Sequence, residues 1–158
     1  MADHTPDFTI REDDLTGVEI TALLRFHLAD LQALTPPESV HALPIARLRR
    51  PDVTFFSAWH DAKLAACGAI KNLGNGEGEL KSMRADPAWR GCGAGRAVLG
   101  HLIAVAQARG LARLWLETGS SADFAPAHRL YRANGFAECG PFGDYQPDAF
   151  SVFMTREL

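Results

Sequence analysis

The sequence predicts a domain of the α/β class, α+β in type. Runs rich in β-formers alternate with runs of helical period. Two of the β-rich runs adjoin through a two-residue turn, as a hairpin does. A glycine-rich turn joins a third to a long amphipathic stretch. At 158 residues the chain has the size of a single domain, residues 1–158, and can bury a substantial core.

The elements follow in order. Phe8-Thr9-Ile10-Arg11 reads as a short first strand. Thr16 to Leu34 carries Ile20, Leu23, Leu24, His27, Leu28 and Leu31 at helical spacing, and Pro36-Pro37 stops it. Glu38 to Arg50 is expected to form a second, shorter helix interrupted by Pro44. Val53–His60 and Lys63–Leu73 are the hairpin strands, turning at Asp61-Ala62. Gly74-Asn75-Gly76 turns the chain again, and Glu77 to Ala85 is a strand of mixed polarity. The helix after the glycine turn buries Leu99, Leu102, Ile103 and Ala106, with Gly110 placed to cap it. Leu114-Trp115-Leu116-Glu117 is a short buried strand. Asp123 and Pro126 suit the start of a further helix, and Asn134-Gly135 its end. Phe136–Cys139 and Ser151–Glu157 complete the series as strands.

Composition narrows the function. There is no apolar run of about eighteen residues, and Met1-Ala2-Asp3-His4 has no charged-then-apolar leader character. The expected location is therefore the cytoplasm, without membrane association. Cys67, Cys92 and Cys139 form no CxxC pair, which argues against a disulfide framework or a metal site. The net charge of −3 hides an asymmetry: Lys81, Arg84, Arg90, Arg96, Arg109 and Arg113 face the single acid Asp86 between Lys81 and Trp115. That belt suits a polyanionic cofactor and is too small for nucleic acid. Arg109 and Arg113 read as solvated helix-end charges.

The belt surrounds Arg90-Gly91-Cys92-Gly93-Ala94-Gly95-Arg96. Alternating glycines remove side chains where amides can converge on an anion, and the helix that follows adds free N–H groups and its positive dipole end. The turn is not a Walker loop, because Gly95 is followed by Arg96-Ala97 where that loop needs Lys-Ser/Thr. Nor is it a dinucleotide fingerprint, whose third glycine falls on Arg96 or Val98. A nucleotide-dependent enzyme is disfavoured on both counts. Without further context, the turn could equally serve close strand-to-helix packing.

Arg90-x-x-Gly93-x-Gly95 resembles the coenzyme A loop of the GNAT superfamily of N-acetyltransferases. Two flanking segments strengthen the resemblance. Met83-Arg84-Ala85-Asp86-Pro87 precedes the loop, and Ala127-His128-Arg129-Leu130-Tyr131-Arg132-Ala133-Asn134-Gly135-Phe136 follows it. The latter is similar to the family's A-x-x-L-Y-x-x-x-G-F helix. The resemblance covers residues 53 to 158. It implies a central mixed, mostly antiparallel sheet with helices on both faces, and acetyl-CoA as co-substrate without a metal.

The resemblance also implies roles. The backbone of Met83 and Ala85 would pair with the pantetheine arm, and the amides of Gly91, Cys92, Gly93, Ala94, Gly95 and Arg96 would take the pyrophosphate beside Arg90. The thioester would lie near Met83 and Glu117. Tyr131 stands at the position of the family's general acid. Phe124 replaces an asparagine that often bonds the pantetheine, and Glu117 to Ser121 are the polar groups left to substitute for it. An alkyl amine, with a pKa near ~10.4, is neutral to only about one part in a thousand at pH 7, so a base is required. Glu79 is the expected base, with Glu77, Glu79, Lys81 and Met83 alternating onto one strand face. The alternatives are a solvated strand face for Glu79 and a core tyrosine beside Ala127 for Tyr131.

The resemblance places Pro36–Leu43 and Pro141–Tyr145 beside the acceptor. Glu38, Glu79, Asp144 and Asp148 would make that mouth acidic, suiting a small cationic amine, with His27, His41 and His60 as further lining candidates. The reading is an acyl-CoA-dependent N-acetyltransferase acting on a small-molecule amine by direct attack in a ternary complex, with a homodimer left open. The alternative is a non-catalytic acyl-CoA-binding module acting through a protein partner, which would keep the loop and need neither Tyr131 nor Glu79.

Overall fold

The computed structural model describes residues 6–158; the Met1–His4 reading lies outside them. Strands β1 (Thr9–Glu12), β2 (Val53–His60), β3 (Lys63–Asn72), β4 (Glu77–Ala85), β5 (Arg113–Gly119), β6 (Ala137–Cys139) and β7 (Ser151–Glu157) form one sheet. Their order is β1-β2-β3-β4-β5-β7-β6. Every pairing is antiparallel except β4 with β5, so the sheet is mixed and mostly antiparallel. The parallel pair is joined by a crossover through helix α3 (Ala94–Ala108), since parallel strands need a long connection.

Each sheet face carries its own core. On one, Val98, Leu99, Leu102, Ile103 and Ala106 of α3 pack with Ile70, Leu80, Leu114, Leu116 and Met154, together with Tyr131 of α4 (Ala125–Ala133). On the other, Ile20, Leu23 and Leu24 of α1 (Val18–Leu34) and Leu48 of α2 (Ile45–Leu48) cover Phe55, Trp59, Leu64, Cys67 and Ala69. Burial on both faces explains the nearly unbroken apolar run of β3.

The expected helix over Glu38–Arg50 is corrected. A 3₁₀ turn at Pro37–Ser39 and the four-residue α2 stand there instead. Pro44 lacks an N–H and serves as the N-cap of α2, so no helix runs through it. Elsewhere the expected elements stand within two or three residues of their boundaries. Gly110 ends α3 with φ of 72°; its N–H reaches the Gln107 carbonyl, and the Leu111 N–H the Ala106 carbonyl.

A second correction concerns β4. Cys67 pairs with Arg84 and Ala69 with Lys81, so Ser82 and Met83 together oppose Gly68. This β-bulge carries Ser82 at φ of 55°. Side-chain alternation resets there. Lys81 lies over Ala69 on the α1 face, whereas Met83 lies on the α3 face, where a Cβ on Gly68 would meet Met83 and come within 2.8 Å of Val98. Met83 therefore does not share a face with Glu79 and Lys81.

Candidate active site

The gap between β4 and β5 is the structural origin of the site. Their register runs only from Glu77↔Arg113 to Leu80↔Leu116. Beyond it β4 continues to Ala85 and β5 to Gly119, so facing backbone groups of the two strands lack each other as partners. A cleft of about 820 Å³ occupies this gap and passes from one sheet face to the other. Met83, Ala85 and Glu117 line it.

At its α3 end the cleft is bordered by Arg90, Gly91, Gly93, Ala94, Gly95 and Arg96. Gly93 is the N-cap of α3 at φ of 87°, without a side-chain cap. From Gly93 onward, the first amide to find a carbonyl is that of Ala97, which bonds Gly93 at 3.0 Å. The four preceding N–H groups have no intrahelical acceptor and sit at the positive end of the dipole. Gly91 likewise holds φ of 74°. Cys92 is absent from the lining: its N–H bonds the Trp89 carbonyl at 3.3 Å and its thiol approaches the Arg90 carbonyl at 3.7 Å. A coenzyme A arm and diphosphate fit these residues: an unpaired strand edge lies beside a set of uncommitted amides flanked by Arg90 and Arg96.

Tyr131, packed with the α3-face core, and Glu117, on β5, both line the cleft. Tyr131, on α4, is 6% exposed, and burial together with the Glu117 charge pushes its phenol well above the usual range. Glu117, on β5, accepts a hydrogen bond from the Ser151 hydroxyl at 2.9 Å. Burial raises its pKa to about 7; Ser151 and Lys81 pull it down, while Glu79 and Asp148 push it up.

Glu79 is placed differently. It is 4% exposed and does not line the cleft. Its Oε2 accepts from the Tyr145 hydroxyl at 2.6 Å and from Lys81 Nζ at 3.2 Å. Phe124, where the pantetheine-bonding asparagine was missing, lines the cleft and packs its ring over Gly119, leaving no room there for a Cβ.

At the α1 end the lining comes from α1 and from the Ser39–Ala42 segment. His27 and His41 belong to it; His60 does not, and lies edge-on to Phe8. Arg84 Nε donates to His27 Nδ1 at 2.7 Å, and Arg84 Nη1 to Asp30 at 2.8 Å. Guanidinium can only donate, so the His27 proton resides on Nε2. Burial and the adjacent Arg84 hold that ring neutral, with its pKa lowered to about 4. Glu38, Glu79, Asp144 and Asp148 do not line the cleft; among the described residues its acids are Asp30, Glu117 and Asp123. Arg109 and Arg113 bond Thr54 and Thr155 away from it.

Sequence reasoning missed the bonds Arg84–His27, Lys81–Tyr145 and Tyr145–Glu79, which join residues 57 to 66 positions apart. No local spacing reports such pairs.

Comparison with known proteins agrees with this geometry. Residues 20–136 match the profile of the Acetyltransferase (GNAT) family. The uncharacterised N-acetyltransferase YsnE of Bacillus subtilis is 48% identical over 149 residues, covering 94% of this chain and 99% of its own. The uncharacterised N-acetyltransferase YedL of Escherichia coli is 46% identical over 151 residues, covering 96% and 95%. A Klebsiella pneumoniae structure described provisionally as an acyl-CoA N-acyltransferase superposes with a TM-score of 0.77 at 32% identity, covering 96% of this chain and 97% of that one. The chain belongs to the GNAT acetyltransferase family. It is an enzyme of the N-acetyltransferase class.

Proposed function

We propose that the protein transfers an acetyl group from acetyl-CoA to the amine of a small molecule by direct attack within a ternary complex. The observation that carries this reading is a single cleft joining three features: the free amides of α3, the unpaired edges of β4 and β5, and the pair Glu117 and Tyr131. Acetyl-CoA would supply the activated thioester. The amides of Gly93, Ala94, Gly95 and Arg96, with Arg90, would hold its diphosphate, and the backbone at Met83 and Ala85 its arm.

Glu117 replaces Glu79 as the candidate general base. Glu117 opens on the cleft, and a proton affinity near neutrality suits a group that must take a proton from an ammonium and later release it. Glu79 is already engaged by Lys81 and Tyr145. Tyr131 keeps its proton across the physiological range and holds it at Oη, ready to share with a leaving sulfur as negative charge develops.

Amine-dependent release of free thiol from acetyl-CoA, read with a thiol reagent across a panel of primary amines, tests the reading. At least one amine is expected to accelerate release about 10²-fold or more over buffer. Tight acetyl-CoA binding without acceleration by any amine would favour the non-catalytic binding module.

A further inference from the structure

The acceptor side of the cleft holds a buried polar cluster that the chemistry above does not use. Tyr145 donates its hydroxyl proton to Glu79 Oε2 at 2.6 Å and accepts from Lys81 Nζ at 2.9 Å. Lys81 also donates to Glu79 Oε2 at 3.2 Å and to the His41 carbonyl at 3.3 Å, so all three of its N–H bonds are used. The Lys81 and Glu79 side chains are 9% and 5% exposed. Desolvating such a pair costs more than the attraction usually returns, so stability alone is a weak reason to keep it.

Position supplies a reason. The His41 carbonyl belongs to the Ser39–Ala42 lining, and the His41 ring meets Tyr145 edge-on at 5.1 Å. Ser39 Oγ donates to Asp148 at 2.5 Å, tying the same segment to the chain between β6 and β7. Lys81 and Glu117 are the first residues beyond the last β4–β5 pair, Leu80↔Leu116. Strand alternation puts both on the face opposite the α3 core, which takes Leu80 and Leu116.

We propose that Glu79, Lys81 and Tyr145 form a positioning element for the acceptor, which fixes the wall at Ser39–Ala42 and stations one ammonium beside Glu117. Its link to catalysis rests on the assignment of Glu117 as base. Among the described residues, the charged and titratable groups around Glu117 are Lys81 and Glu79 on β4, Asp148 before β7, and Tyr131 on α4. Arg84, on the same face of β4, is compensated by Asp30, and His41 adjoins Tyr145. Lys81 is thus the cation that favours ionised Glu117, and Glu79 moderates it.

Infrared titration of the protonated carboxyl band, assigned to Glu117 by its loss in Glu117→Gln, tests this on the free protein. Lys81→Met is expected to move the midpoint to higher pH and Glu79→Gln to lower pH, each by about half a unit or more. Loosened packing alone would not give opposite signs. In Tyr145→Phe the amine KM is expected to rise several-fold at unchanged acetyl-CoA affinity, because the wall loses an anchor while the α3 end is untouched. Midpoints that stay in place or move together, or an acetyl-CoA affinity that falls in step with the amine KM, would overturn the proposal. If the midpoints move as expected and the acidic limb of kcat does not follow them, the base assignment fails and the positioning element stands.

Discussion

Tyr131 and Glu117 are single residues whose environments set their chemistry. The phenol is buried and lies within the field of the Glu117 charge, and Tyr131→Phe removes one donor and little volume. A group that acts on charge developing in the transition state should change kcat and spare ground-state binding. We expect kcat to fall about 10²-fold with acetyl-CoA affinity unchanged by calorimetry. For Glu117 the folded-state pKa of about 7 exceeds the ordinary 4.5. The folded protein therefore holds this proton more tightly than the unfolded chain. The associated stability is full below pH 4.5 and is lost as pH rises through about 7. Glu117→Gln should then be more stable than the parent by about 2 kcal/mol at pH 8, after allowance for partial solvent access, and should gain little at pH 4.5. Urea melts at the two pH values check this; an equal difference at both would contradict the assignment. The same residue should lose most turnover, the exchange of stability for function common in active sites.

At the scale of elements, β4 lines one side of the cleft and the glycine turn into α3 borders one end. The glycines of the loop have separate reasons. Gly91 and Gly93 hold positive φ, so a side chain at either strains the turn regardless of any ligand. Gly95 has no such constraint, and an added Cβ would meet only Leu130 at an ordinary 3.6 Å. Gly95→Asp thus separates fold from binding: an acid in the first turn favours the helix by about 0.3–1 kcal/mol, yet its charge opposes a diphosphate. We expect Tm to hold or rise while acetyl-CoA affinity falls at least about tenfold; unchanged affinity would remove the loop from the site.

These two elements also show what local reading captures. The loop, α3, and the helix ending at Asn134-Gly135 were legible because glycine geometry and helical period are local signals. The bulge at Ser82 was not: it arises from pairing with Gly68 and reversed the face assigned to Met83. The assignment of Glu79 as base drew on strand alternation and family position, neither of which reports its contacts with Lys81 and Tyr145. Glu117 was placed near the thioester, yet its raised proton affinity comes from tertiary burial, which strand position does not reveal.

Across the whole molecule, the parallel β4–β5 pair opens into a passage between two sheet faces. One end is built by the amides of α3, and the other by α1 and the Ser39–Ala42 segment. In the proposed reaction the two substrates would enter from opposite sides and meet at Glu117 and Tyr131 without a covalent acyl-enzyme. Of the three thiols, Cys67 is buried with its pKa pushed up to about 12, and neither Cys92 nor Cys139 lines the cleft. Initial rates measured over a grid of acetyl-CoA and amine concentrations test this most directly. Double-reciprocal lines should intersect, as sequential addition through two mouths requires. Parallel lines would mean that an acyl group leaves acetyl-CoA before the amine arrives, and would contradict direct transfer in this cleft.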